Sequence, residues 1–411
     1  MRRLIAKIVV IAAICSPGFA QEPAKDFGVA VRKFSAERHK LVRHLSSQLH
    51  LSLPSQAEVF FRAAETGTWE SVSNRFEQVK ETGEYGGAIS ELRNELWAPI
   101  HETLGIWEVW VGWKEDSSLL AMFHGPVLSS MPKGSIYFGG TEYGRFAITT
   151  INALQAPQPV FCITQNALAD NTYAAHLRAI YGDKIWLPKE EDSAQAFQRY
   201  VQEVHAGKRP ANAELKIENG RVQVSGALGV MEINGILCQM IFEHNKADHD
   251  FFVEESYVIN WMYPYLEPHG LIMKLNRQIL PSLPEETVAR DREFWKRYEQ
   301  RLEGTPSFAG NVEARKAFAK LRCAIAGIYA HRSMYAEAEE AFQQAIRLCP
   351  ASPEASYRLA DTHLRQGHTG KAVEAMRNFL KHVAPDQSDK AQEYTKQLED
   401  RMQNNGTEPI R

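Results

Sequence analysis

The sequence predicts two fold classes in one chain: an α/β domain with a mainly parallel sheet, and all-helical parts on either side of it. Three observations carry this reading. Short apolar runs alternate with helical stretches between residues 119 and 280, the order that winds a parallel sheet with helices over its faces. Apolar side chains recur at helical spacing through residues 34–114. From 320 to 385 one helix-pair pattern occurs twice: Ala326, Ala338 and Ala345 recur 34 positions later as Ala360, Ala372 and the larger Phe379.

The N-terminus predicts the compartment. Arg2, Arg3 and Lys7 form a basic start, Leu4 to Cys15 is apolar, and Pro17-Gly18-Phe19-Ala20 is a small-residue exit. Residues 1–20 therefore read as a secretory signal cleaved after Ala20. The apolar stretch is too short for a bilayer, which needs about 20 residues, and Ile14 before Cys15 argues against a lipoprotein site. Losing those three cations takes the formal charge from −3 to −6. A mildly acidic chain without a basic stripe, periplasmic or extracellular, argues against nucleic acid as a partner. Hydrophobic content of 44% suffices for two or three domains.

Residues 21–118 form an N-terminal helical region. Leu41, Leu45, Leu49 and Leu51 follow a basic polar face, and Leu53-Pro54-Ser55 marks a helix start with Ser55 able to cap it. Ala57, Phe60, Phe61 and Ala64 keep helical spacing, Gly67 breaks the run, and Trp69, Val72, Phe76 and Val79 resume it. Trp97, Trp107, Trp110 and Trp113 come next. A platform for sugar stacking is one reading, but the last three stand three apart, which suits a packed core better.

In residues 119–280, Ser135-Ile136-Tyr137-Phe138 is the first strand, running into Gly139-Gly140-Thr141-Glu142 and a helix through Ile148 and Ile151. A second strand from Pro159 to Thr164 ends in Gln165-Asn166. Helix 172–181, a short strand Ile185-Trp186-Leu187 and helix 193–205 follow. Residues 215–224, split by Asn219-Gly220, read as a hairpin. Helix 228–243, strand 251–254, helix 257–266 and strand 271–275 complete a Rossmann-like domain. Residues 281–288 read as a linker opening the helical part, 281–411, whose helices run over 288–302, 313–332, the repeated pairs and 390–402.

In the repeated part, Tyr329 and Phe342 are answered by His363 and Met376, Tyr335 stands inside YAEAEEAF, and Pro350 and Pro385 close the units. Small residues let antiparallel helices approach closely, while bulky ones fill the gap between successive pairs. This resembles the tetratricopeptide repeat. The resemblance implies a concave groove lined by first helices: Lys320, Cys323 and His331 in one unit, Tyr357, Asp361, Leu364 and Arg365 in the next. It also implies a protein or peptide partner, held by a carboxylate or backbone at Lys320, Tyr357 and Arg365. The alternative is a groove filled by the chain's own helix 288–302.

The middle block carries a second resemblance. Its order is apolar strand, Gly139-Gly140-Thr141-Glu142, helix, strand, then Asn166-Ala167-Leu168-Ala169-Asp170 with Tyr173 and Leu177. Phe251-Phe252-Val253-Glu254 and Pro268-His269-Gly270-Leu271 follow. Over about 140 residues this is similar to the soluble C-terminal portion of a bacterial membrane family regarded as O-mannosyltransferase-like. The resemblance implies a shared α/β fold and a glycan-related activity. Glu142-Tyr143 stands where that family has Asn-Asp, and the chain carries no multi-span membrane part.

In a parallel sheet, Thr141, Glu142, Arg145, Asn166, Asp170, Glu254 and Glu255 would gather at the carboxyl rim, where open α/β sheets bind ligands. Glu142 with Asp170 or Glu254 could supply an acid and a base or hold a divalent cation, with Thr141, Arg145 and Asn166 binding ligand. In the competing reading, Thr141 and Asp170 cap helices and the glutamates are solvated. Glu243-His244 with Asp248-His249-Asp250 straddles a polar turn and reads as a loop rather than a zinc site. Gly226-Ala227-Leu228-Gly229 lacks the third glycine of a dinucleotide loop. GxSxG, HExxH and Walker sequences do not occur, and neither a metal nor a cofactor is expected.

Cys162, Cys238, Cys323 and Cys349 lack CxxC spacing. An exported chain could bridge Cys323 to Cys349 across its antiparallel pair, for ~3 kcal/mol; two buried thiols are the equal alternative. The function expected is a non-catalytic binding or scaffolding protein of the cell envelope that holds protein partners with its repeats. The rival is a glycan-related enzyme, or a carbohydrate- or nucleotide-binding protein, centred on Glu142, Asn166, Asp170 and Glu254.

Overall fold

The computed structural model describes residues 26–82, 96–155, 158–209, 215–218, 221–224, 227–255, 259–384 and 388–403. The expected signal at 1–20, the Asn219-Gly220 turn, Gly226 and Pro385 lie outside them. Five helices open the fold: α1 (Phe27–Gln48), α2 (Ser55–Thr66), α3 (Trp69–Thr82), α4 (Trp97–Gly112) and α5 (Ser117–Ser130). Asp26 caps α1 through Gly28 N at 2.9 Å, and Asp116 caps α5. Ser55 does not cap α2: it is the first helical residue, its hydroxyl turns to Gln56, and Pro54 holds the cap position. Phe60, Phe61, Ala64, Val72 and Val79 are buried where α2 meets α3. Trp107, Trp110 and Trp113 are core residues, and the Trp113 ring lies 5.7 Å from Phe123 and 6.1 Å from Phe318, far along the chain.

The sheet domain follows with β1 (Ile136–Gly139), α6 (Glu142–Ala153), β2 (Phe161–Thr164), α7 (Asn171–Tyr181), α8 (Glu190–His205), β3 (Leu215–Glu218), β4 (Arg221–Val224), α9 (Ala227–Asn245), β5 (Phe251–Val253), β6 (Leu266–His269) and β7 (Ile272–Leu275). β3 and β4 form a separate antiparallel pair. The other five make one sheet in the order β2-β1-β5-β7-β6, parallel across β2, β1 and β5 and antiparallel across β5, β7 and β6. The expected mainly parallel sheet is thus a small mixed one. The reason is local: Gly270, at φ 64°, turns the chain straight back from β6 into β7. All four residues of β1 are buried, as a strand covered on both faces requires.

Two further expectations are corrected. Ile185-Trp186-Leu187 is not a strand: the side chain of Asn245 pairs with both the N–H and the carbonyl of Trp186, the groups a ladder would use at the middle of that run. The segment expected as helix 257–266 is a 3₁₀ turn at Asn260–Tyr265 containing Pro264, followed by β6.

The remaining helices are α10 (Glu285–Glu303), α11 (Val312–His331), α12 (Tyr335–Leu348), α13 (Pro353–Arg365), α14 (Thr369–Leu380) and α15 (Asp389–Gln403). α11 with α12, and α13 with α14, are successive helix pairs. α10 locks onto the first pair through buried charge. Arg322 and Tyr329 both reach Asp291 at 2.8 Å, Arg322 also holds Gln344 at 2.7 Å, and Arg347 grips Glu299. One apolar core runs from α1 through the sheet to α13, while Ala360, Ala372, Val373, Met376, Phe379, Ala391 and Leu398 form a smaller one under α13–α15. Among the described residues, no helix is long and apolar enough to cross a membrane.

Candidate functional site

At the carboxyl end of the parallel strands, the turn from β1 into α6 offers the N–H groups of Gly140 and Thr141. Such a turn at a helix N-terminus is a seat for an anion. Here the chain supplies its own. Glu254, continuing β5 by donating its N–H to Phe138 O, accepts from Gly140 N at 2.9 Å and Thr141 N at 3.1 Å, and its other oxygen takes the Thr141 hydroxyl. Gly144 is required beside it, because a Cβ there would stand 1.6 Å from Glu254 Oε2. Burial pushes the Glu254 carboxyl up, against the Thr141 and Gly140 donors. A carboxylate bolted into this seat leaves no room there for a ligand phosphate.

The other predicted rim residues have local partners. Thr141 caps α6 through Gly144 N at 3.0 Å, and Asp170 caps α7 through Thr172 N at 2.8 Å, as the competing reading held. Glu142 is exposed and paired with Arg145 one turn on, whose guanidinium stacks on Phe146. Asn166 donates to Gly140 O at 3.3 Å. Glu142 and Asp170 are therefore drawn off into surface contacts. In the polar turn, His249 bonds Gly134 O and His244 stacks on Trp186, 4.0 Å away. Among the described residues, no group of three His, Cys, Asp or Glu side chains is arranged to hold a metal ion.

Glu255, one residue past Glu254, behaves differently. Its carbonyl accepts from Gln165 Nε2, and its Oε1 lies 3.5 Å from Lys320 Nζ on α11. Its Oε2 is buried with no hydrogen-bond partner among the described residues, as are Gln165 Oε1 and Asn166 Oδ1. Only 4% of Glu255 is exposed. Burial pushes its carboxyl up to about 8, with Lys320 opposing and Glu254 adding to the rise. An orphaned buried acceptor costs roughly 1–3 kcal/mol, so three on adjoining residues call for a cause.

Glu255 lines a cavity of about 510 Å³ together with Lys320, Glu354 and Arg358. Both cations and Glu354 come from first helices of the repeated pairs, so this pocket lies where the repeats meet the sheet rim. Arg358 bonds Glu354 at 3.1 Å and Tyr263 Oη at 3.0 Å, beside the Phe342 ring. Gly327 gives it room, since a Cβ there would lie 2.7 Å from Arg358 Nη2.

Of the predicted groove residues, Lys320 reaches this pocket and His331 stacks on Tyr263 at 5.0 Å. Tyr357 turns to Phe379 and Tyr394, and Asp361 pairs with Arg365 on the surface. The groove face of α11 meets Glu255, Tyr263, Pro264 and Leu266 of the chain itself, whereas α10, the helix expected to fill the groove, lies against Arg322, Tyr329 and α12. Glu354 and Arg358 were missed in the sequence. The repeat offset could have found Glu354, which stands 34 positions after Lys320.

The expected bridge is corrected. Arg315 Nε bonds Leu348 O and Arg322 Nε bonds Gln344, which sets Cys349 beside the start of α11 and Cys323 opposite residues near 342. Eight helical residues from Arg315 to Cys323 span roughly 12 Å, well beyond the 4.4–6.8 Å a disulfide allows between Cα atoms. Both are buried free thiols.

In comparisons with known proteins, no family model, no curated protein and no solved structure matches the chain.

Proposed function

We propose that this chain is an exported binding protein of the cell envelope, in which tetratricopeptide-like helix pairs close a charged pocket over the rim of a Rossmann-like sheet. The observation that carries the reading is Glu255: a carboxyl 4% exposed, with one oxygen unpartnered among the described residues, lining a cavity together with Lys320, Glu354 and Arg358. Buried polar groups convergent on a cavity mark a binding site. The 34-residue offset supports the repeat assignment, and Arg2, Arg3 and Lys7 before the apolar stretch support export.

This keeps the binding role expected from the sequence and moves its seat. The ligand enters the junction rather than an open groove, because α11 already faces Glu255 and residues 263–266. Thermal-shift measurement on the mature chain with a panel of charged small molecules tests it. A compound that raises the melting temperature of the wild type, and not of Lys320→Trp, which fills the pocket, supports the reading. An equal rise in both would remove it. N-terminal sequencing of secreted protein tests export; a chain still beginning at Met1 would end that part.

A second reading, an enzyme acting at the same rim, is favoured by one fact: Glu255 is held at about 8 beside Lys320, a setting suited to proton transfer near neutral pH. A nucleotide-dependent version is disfavoured, since Glu254 fills the anion seat. Turnover of any substrate that Glu255→Gln abolishes would place the enzyme first.

A further inference from the structure

Among the described residues, four charged side chains line the pocket, and they restrict what it can accept. Two are acids and two are bases, so the site by itself is balanced when all are ionised. A dianion would leave two acids uncompensated, and a diamine two bases, in a partly buried site where unpaired charge is costly. A ligand carrying one charge of each sign leaves the balance intact.

The polarity within the pocket is also set. Among the described residues Glu255 Oε2 has no donor, and Gln165, bonded to the Glu255 carbonyl, carries a second orphaned acceptor. That end asks for a group rich in N–H donors. Arg358 is held by Glu354, Tyr263 and the Phe342 ring, with the Cys323 thiol also beside it, and these contacts leave some of its five N–H donors over. A planar guanidinium with donors to spare suits a carboxylate, and Lys320, its ammonium 3.5 Å from Glu255 Oε1, adds a second cation to the same pocket. The volume of about 510 Å³ suits a ligand of two or three residues rather than a folded partner.

We propose that the pocket binds a zwitterion of the amino-acid or short-peptide class, with its ammonium on Glu255 and its carboxylate on Arg358 and Lys320. The proposal rests on the pocket being the binding site. Glu255, held protonated near neutral pH without ligand, would ionise as the ammonium arrives.

Titration calorimetry on the whole mature chain tests this with five probes: L-alanyl-L-alanine, its N-acetyl form, its C-terminal amide, succinate and putrescine. The free dipeptide is expected to bind, and blocking either end to weaken it about tenfold or more. Glu255→Gln, nearly identical in shape, should weaken the free dipeptide to a similar degree and leave the N-acetyl form unchanged. Lys320→Gln should do the same at the other end, weakening the dipeptide but not its amide. Folding of both variants is checked by circular dichroism and melting temperature. Equal affinity for free and acetylated dipeptide, or a Glu255→Gln variant that binds like the wild type, would overturn the assignment. Binding of succinate or putrescine in place of the dipeptide overturns the ligand class but leaves the pocket standing. No binding by any of the five overturns both.

Discussion

Glu102 and Glu255 are both glutamates taken out of water under several helices, and their surroundings treat them in opposite ways. Glu102, on α4, has its two oxygens shared between Arg38 from α1 and His176 from α7. Burial raises its carboxyl, but those partners outweigh burial and hold it at about 2. Both oxygens of this carboxylate are engaged, with only His176 Nδ1 unpartnered among the described residues, and the cluster ties the N-terminal helices to the sheet domain. Glu255 has one cation at 3.5 Å, an orphaned oxygen, and a cavity in front of it. The difference separates a charge that serves the fold from one that awaits something else.

The largest effect should come from breaking the Glu102 cluster. Glu102→Gln keeps the volume but leaves Arg38 buried without its carboxylate, which should cost about 3–5 kcal/mol in urea denaturation. Glu255→Gln should instead stabilise the chain at pH 7, because the fold keeps that carboxyl protonated where the unfolded chain ionises it, a cost the amide does not carry. Equal losses at the two positions would erase the distinction.

Next in size is the pH dependence, and its sign differs between the clusters. Glu255 is held above its ordinary 4.5, so its contribution is fully present below pH 4.5 and is lost as pH rises through about 8. Glu102 is held below 4.5, so its contribution is intact above pH 4.5 and is lost as pH falls through about 2. Every tenfold difference in proton affinity between folded and unfolded chain is worth about 1.4 kcal/mol. Chemical denaturation across pH 4.5–8 should therefore show a falling stability component that Glu255→Gln removes. A slope unchanged in that variant would assign the loss to other groups.

The smallest effect sharpens the comparison from outside. Asp361 and Arg365 pair one to two turns beyond Arg358 on α13, both more than half exposed, and neither lines the pocket among the described residues. Asp361→Ala should change stability by no more than about 0.5 kcal/mol and leave pocket binding unaltered. A loss of binding there would bring the open groove back as the seat.

What could be read in advance follows the range of the interactions. Thr141 and Asp170 were readable as caps because the amides they hold lie two or three residues on. The tryptophans of α4 were readable as core from spacing alone. Asn245 reaching back to Trp186 was not, since a side chain 59 positions away consumed the backbone groups on which a strand prediction relies. β6 was hidden by Pro268, a poor strand residue tolerated because β6 is an edge. Glu254 and Glu255 were both placed at the rim, but adjacent residues at a strand end point to opposite sides. Which of them is bolted down and which is open depends on Gly140, Gly144 and α11. The cysteine pairing failed on register, which Arg315 and Arg322 set through contacts with α12.

The uneven division of the core also bears on how the molecule opens. Amide hydrogens in β1 and β5, inside the large core, are expected to exchange with solvent only when most of the chain unfolds, and those of α14 and α15, resting on the small core, through a partial opening. α13 belongs to both, with Ala355 and Leu359 rooted in the large core and Ala360 in the small one. Glu354 and Arg358 lie on its firmly rooted half, so the last two helices can detach and reattach while the wall of the pocket stays in place.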